Sequence, residues 1–218
     1  SMARLIQKKN AKSPVGYELE GNLLMTQKKP ELAANAFERA FAISKTGPLL
    51  VKLHASLNQA GKGKAADSRL SQWLKEHPAD IPTHMYQAGL YLSTKQNKAA
   101  IDQYQAVLKQ NSNYVPALNN LAWLYQQEKD SRALEYAEKA NQLAPENPAI
   151  LDTLGWILVE QGNSTRGLPL LKKATTLAPD SADIRYHYAL GLVKSGDKIN
   201  ARKELEQLLA TAKDFPKI

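Results

Sequence analysis

Cysteine is absent from this chain. That excludes disulfides, thiolate metal sites and a cysteine nucleophile. Aromatic residues are scarce, at 7% of 218 residues, and glycine and proline number 11 each. Runs in which Val, Ile or Thr alternate with polar residues are missing, which argues against sheet. No apolar stretch is long enough to cross a bilayer as a helix. Ser1-Met2-Ala3-Arg4 is followed by no apolar h-region, so any export signal or lipid anchor is expected upstream of Ser1. What the chain does have is 43% hydrophobic residues, enough for a core, and an abundance of Ala, Leu, Lys and Gln. All four favour helix.

The net charge of +8 is not gathered in one place. Basic doublets (Lys8-Lys9, Lys28-Lys29, Lys172-Lys173, Arg202-Lys203) are interleaved with acids such as Glu135, Glu138, Glu204 and Glu206. This is the pattern of solvated helix faces, and nucleic acid is not an expected partner. Weak attraction to an acidic partner is compatible with the surplus.

The dominant signal is repetition. VPALNNLAWLYQQEKDSRALEYAEKANQLAPEN from Val115 and PAILDTLGWILVEQGNSTRGLPLLKKATTLAPDS from Pro148 share a frame offset by 33 residues. Each opens on aliphatic residues, passes through Leu-small-Trp, and closes on Leu-Ala-Pro with an acid. The frame extends in both directions, giving six units of 33 to 35 residues that start near Pro14, Gly47, Pro82, Val115, Pro148 and Ala182 and run to residue 216. Residues 1–13, with Leu5 and Ile6, read as the end of a second helix from a truncated earlier unit.

This pattern resembles the tetratricopeptide (TPR) family. The implied fold is all-α, a right-handed superhelical solenoid of antiparallel helix pairs. The chemistry of the pattern is legible. Small residues are wanted where paired helices cross: Gly21, Gly89, Ala122, Gly155 and Ala189 on first helices, Ala33, Ala66, Ala100, Ala133 and Ala201 on second ones. Large residues such as Phe37, Leu70, Tyr104, Leu121, Tyr125 and Leu171 fall on one helical face between them. Gly61, Gly162 and Gly196 stand where a C-terminal cap needs positive φ. Pro78, Pro145 and Pro179 stop second helices, and Asn147-Pro148 reads as an N-cap followed by proline. There are departures. His54 occupies a place where the family prefers Gly or Ala, and Gly167 replaces Ala. Pro30 and Pro169 are read into first turns. The units at Pro82 and Val115 each look one residue short in the internal turn, and the unit at Gly47 is the weakest match.

Several strings are more particular: LLVKLHASLNQAGKGKAADSRLSQWLKEHPAD, PALNNLAWLYQQ, LDTLGWILVEQG and RYHYALGLVKSGDKINARKELEQLL. Together they resemble the TPR-repeat lipoproteins found with bacterial exosortase/PEP-CTERM protein-sorting and exopolysaccharide systems. The likeness spans roughly residues 14 to 216 and suits the C-terminal part of such a protein. It implies a periplasmic, lipid-anchored position in a Gram-negative cell envelope, with the membrane reached only through an anchor outside this chain. The implied partner is a protein or peptide segment of the envelope machinery.

In a TPR array the first helices line a concave groove. The groove candidates are Asn22, Tyr86, Leu90, Asn119, Trp123, Asp152, Trp156, Tyr186 and Lys194. Trp123 and Trp156 each directly follow the small crossing residue of successive units, with Tyr86 and Tyr186 one turn earlier on either side. Such a ladder suits an extended peptide or a stacked sugar; equally, the two indoles can pack between adjacent first helices. Trp73 belongs to a second helix and to the core. The clamp that grips C-terminal carboxylates needs Lys one turn before Asn, whereas Glu18 precedes Asn22, so that mode is not expected.

His54, His77, His84 and His187 show no metal-ligand spacing, and neither phosphate loop nor GxSxG nor paired catalytic carboxylates are present. No cofactor, metal or catalytic residue is expected. The sequence thus points to a scaffold that binds proteins through its groove, with direct binding of exopolysaccharide as the alternative. The final unit stops near Pro216 without a polar cap, and such an end can pair with a second copy.

Overall fold

The computed structural model describes residues 2–211. Within them there are thirteen α-helices and no strand. The Pro216 end, where pairing with a second copy is expected, lies outside the described residues. The chain forms two compact units, Ser1–Gln110 and Asn111–Ile218.

The first unit holds α1 (Met2–Lys9), α2 (Val15–Thr26), α3 (Pro30–Ile43), α4 (Gly47–Gln59), α5 (Gly63–Glu76), α6 (Ile81–Ser93) and α7 (Asn97–Gln110). The helices pack in sequential pairs, each first helix against its second. α1 lies on α2, where the Gln7 side chain donates from Nε2 to the Gly16 carbonyl (3.1 Å) and to Glu20 (2.8 Å). Gly21 shows why the crossing must be small: a Cβ there would come within 2.5 Å of the buried Phe37 ring. Phe37, Ala33, Ala34 and Leu53 form one core cluster; Leu50, Leu70, Trp73 and Leu74 form the next. Trp73 is buried, with its indole N–H donated to Asp80, in keeping with its reading as a core residue.

The second unit holds α8 (Val115–Gln127), α9 (Arg132–Leu143), α10 (Pro148–Glu160), α11 (Ser164–Leu177), α12 (Ala182–Lys194) and α13 (Lys198–Thr211). Its core is the denser in aliphatics: α10 alone buries Ile150, Leu151, Leu154, Ile157, Leu158 and Val159. Asn147 caps α10 through the Ala149 N–H at 3.0 Å, ahead of Pro148 at the first helical position. Gly155 and Gly167 face each other where α10 and α11 cross; a Cβ on Gly167 would lie 2.6 Å from the Gly155 carbonyl oxygen. Gly replaces Ala at 167 because two backbones meet there.

Three expectations are corrected. α6 begins at Ile81, capped by Asp80, with Pro82 second. The small crossing residue of that helix is therefore the fully buried Ala88, while Gly89 faces open space. With this start the unit is not short in its internal turn. Its turn carries Lys95 in the left-handed region (φ 58°), as Lys28 (56°) and Lys129 (54°) do in theirs, at the place of Gly61, Gly162 and Gly196. Finally, Pro169 lies inside α11 and not in its first turn. It is exposed, so the carbonyl of exposed Thr165, which loses its helical donor, is left to water.

Ion pairs link successive second helices within each unit, Glu38 with Arg69 in the first and Glu138 with Arg166 in the second; Glu146, in the turn after α9, pairs with Lys173 of α11. All are largely exposed, so each contributes at most about 1 kcal/mol; they absorb much of the scattered charge.

Candidate functional site

The candidates divide between the two units. In the first, Asn22 accepts a hydrogen bond from Lys52 Nζ (3.2 Å), which also pairs with Glu18 at 2.7 Å. Tyr86 and Leu90 pack against the cluster of Leu50, Leu70, Trp73 and Leu74. With Ala88 as the small residue of α6, Tyr86 stands two places before it and Leu90 two places after, whereas Asn22 directly follows Gly21. Tyr86 donates its hydroxyl toward His54 Nδ1 at 2.9 Å. Burial, and then the Asp67 carboxylate, push the Tyr86 phenol above its usual range.

The second unit brings its candidates together. Trp123 on α8 is 44% exposed, a large apolar surface for a residue flanked by the fully buried Ala122 and Leu124. One turn earlier, Asn119 has its Oδ1 buried without a hydrogen-bond partner. On α10, Trp156 holds the place equivalent to Trp123 and is half-buried. The His187 imidazole of α12 stacks on it (centroids 5.3 Å, 20° between planes), and Lys194 Nζ lies 5.8 Å from its ring. His187 Nδ1 is 2.8 Å from Asp152 Oδ2, and Lys194 pairs with Glu160 at 2.7 Å. Tyr186 sits beside His187 at 6.4 Å. Trp156 is thus held rigid by its neighbours, while Trp123 presents an open face.

His187 and Glu160 are not among the groove candidates read from the sequence. A signal for them exists. The acid four residues into one first helix meets a base five residues into the next: Asp152 with His187, as Glu18 meets Lys52 in the other unit. Among the described residues, no group of three or more His, Asp or Glu could hold a metal ion.

A family model described as tetratricopeptide repeat matches residues 84–148 and 153–215, more than half of the chain. The chain belongs to the tetratricopeptide repeat family. TPR arrays are generally non-catalytic scaffolds that bind protein or peptide partners. Solved TPR structures share the fold. A chain of the APC/C hetero-tetramer Cut9-Hcn1 superposes with a TM-score of 0.74 at 14% identity over 98% of this chain. This chain spans only 43% of that one. PilF of Pseudomonas aeruginosa gives 0.73 at 16% identity, covering 93% of both chains. YrrB, described as a TPR protein with an unusual peptide-binding site, gives 0.52 at 14% identity over 98% of this chain and 94% of its own. A search of curated proteins gives no match.

Proposed function

We propose that this TPR array is a non-catalytic scaffold whose second unit holds an extended peptide segment of a partner protein against the faces of α8, α10 and α12. The observation that carries it is the exposed Trp123 indole on α8, with Trp156 at the equivalent place on α10 kept in position by His187 and Lys194. A rigid aromatic anchor loses little conformational entropy on binding, which is why Trp dominates interface energetics.

The biological setting we propose is the exosortase-associated cell envelope, on the periplasmic side; what supports it is the sequence resemblance described above. A second reading, an acidic exopolysaccharide stacked on Trp123, draws on the same indole and the +8 charge. Selection of displayed peptides against the full chain, followed by titration of the selected peptide, tests the first reading. Trp123→Ala is expected to weaken binding about 30-fold, equivalent to ~2 kcal/mol. Unchanged affinity in both Trp123→Ala and Trp156→Ala removes this face from consideration. Loss of binding to an acidic glycan but to no peptide transfers the site to the second reading.

A further inference from the structure

The first unit contains a cavity of about 400 Å³ among α4, α5 and α6, far in sequence from the tryptophan face. Its size falls in the range of small-molecule sites. What distinguishes it is where its polar residues stand in the repeat. Directly before the small crossing residue, α4, α8 and α10 place Leu53, Leu121 and Leu154, all buried, while α2 has Glu20, α12 has Tyr188 and α6 has Gln87. Seven residues into a first helix, the array places Ala88, Ala122, Gly155 and Ala189; α4 has His54. Directly after the small residue of the second helix it places Ala34, Ile101, Leu134 and Leu168, while α13 has Arg202 and α5 has Asp67. His54 takes a place that is small in every other first helix, and Gln87 one that is leucine in α4, α8 and α10; Gln87 and Asp67 line one cavity, and His54 lies behind Asp67. A buried polar group costs stability unless it is partnered; His54 finds partners in Asp67 and Tyr86, whereas Gln87 does not find a full set, and that points to a ligand.

The chemistry of the lining narrows that ligand. His54, itself buried, fixes Asp67: its Nε2 is 2.9 Å from Asp67 Oδ1, while its Nδ1 faces the Tyr86 hydroxyl. Gln87 is 92% buried, being 8% exposed, yet its only hydrogen bond among the described residues is a long one, Nε2 to the Tyr91 hydroxyl at 3.4 Å. Its carbonyl oxygen is left to whatever occupies the cavity. Asn58, Ser71 and Gln96 add neutral donors and acceptors, and Leu70 and Leu90 give an apolar wall. Asp67 is the one charged residue of the lining, so a phosphate, a carboxylate or an acidic sugar is repelled.

We infer that this cavity binds a neutral hexose, either free or as the terminal residue of a glycan. Amides, hydroxyls and one carboxylate meet the hydroxyl edge, and the leucines meet the apolar face. The site is independent of the peptide face proposed above. Saturation-transfer NMR and calorimetry on the full chain, with D-glucose, D-galactose, D-mannose, N-acetyl-D-glucosamine and their methyl glycosides, test it. At least one sugar is expected to bind with a Kd of about 1 mM or tighter. Gln87→Leu, which introduces the residue of α4, α8 and α10, is expected to weaken binding more than about tenfold without lowering Tm. Asp67→Asn is expected to weaken it several-fold, while Trp156→Ala leaves it unchanged. Equal binding of methyl glycosides assigns the site to glycan ends; their exclusion assigns it to free sugars. Absence of binding across the panel overturns the inference, as does binding that survives Gln87→Leu or is abolished by Trp156→Ala instead.

Discussion

Six turns inside the helix pairs require one residue in the left-handed region, and three of them use lysine: Lys28, Lys95 and Lys129. An L-residue there costs about 1–2 kcal/mol, of which glycine recovers most while giving up some unfolded-state entropy. Nothing lies within 4 Å of a Cβ at Gly61, Gly162 or Gly196, so the requirement is one of backbone conformation and not of space. Lys28→Gly, Lys95→Gly and Lys129→Gly are each expected to raise stability by about 1 kcal/mol, read from urea midpoints. A loss of stability in all three sinks the account. In the turn of Lys129, Asp130 receives the Arg132 guanidinium and backbone N–H, which hold its carboxyl down from 3.8 to about 2. A depressed carboxylate contributes stability above its unfolded value, and that contribution is lost as pH falls through about 2. NMR titration is expected to find Asp130 still ionised at pH 3, and to find its pKa raised part of the way to the ordinary carboxylate value in Arg132→Ala, which keeps the backbone N–H.

At the scale of the helices, the all-α repeat fold was legible, because capping residues, glycines and prolines punctuate the chain where backbone geometry demands them. The sequence pattern misplaced α6 by one residue for a physical reason. Ala88 and Gly89 are both small, and Pro82 imitates Pro148 at a helix start, so only the Asp80 cap decides the frame. The two kinds of helical glycine then part ways. Gly89→Ala meets open space and gains helix propensity, so a rise of up to about 1 kcal/mol is expected. Gly167→Ala gains the same propensity but drives a methyl against the Gly155 carbonyl and Val159. Overpacking against backbone is expected to lower stability by about 1–3 kcal/mol net. Thermal melts of the two variants moving in the same direction contradict the crossing geometry.

For the molecule as a whole, the tryptophan face was half legible: equivalent places in successive units are visible in sequence, whereas the His187 stack and the Lys194–Glu160 pair depend on which side chains meet between neighbouring helices. The same neighbour dependence governs stability. In a repeat array each helix is held by the helices it touches, so opening is local and follows the apolar surface each one buries. α10 buries eight residues, Asp152 the only polar one, and α8 buries six, all apolar. α4 spends two of its buried positions on His54 and Ser56, α6 three of four on Thr83, His84 and Gln87, and α13 buries Ala201 and Leu208. Native-state hydrogen exchange is therefore expected to be slowest in α8 and α10, faster in α4 and α6, and fastest in α13. Uniform protection along the chain contradicts this ordering. A neutral sugar in the cavity of the first unit is expected to slow exchange in α4 to α6 selectively, by stabilising only the state that binds it. Slowing in α8 and α10 under the same sugar points to a different site.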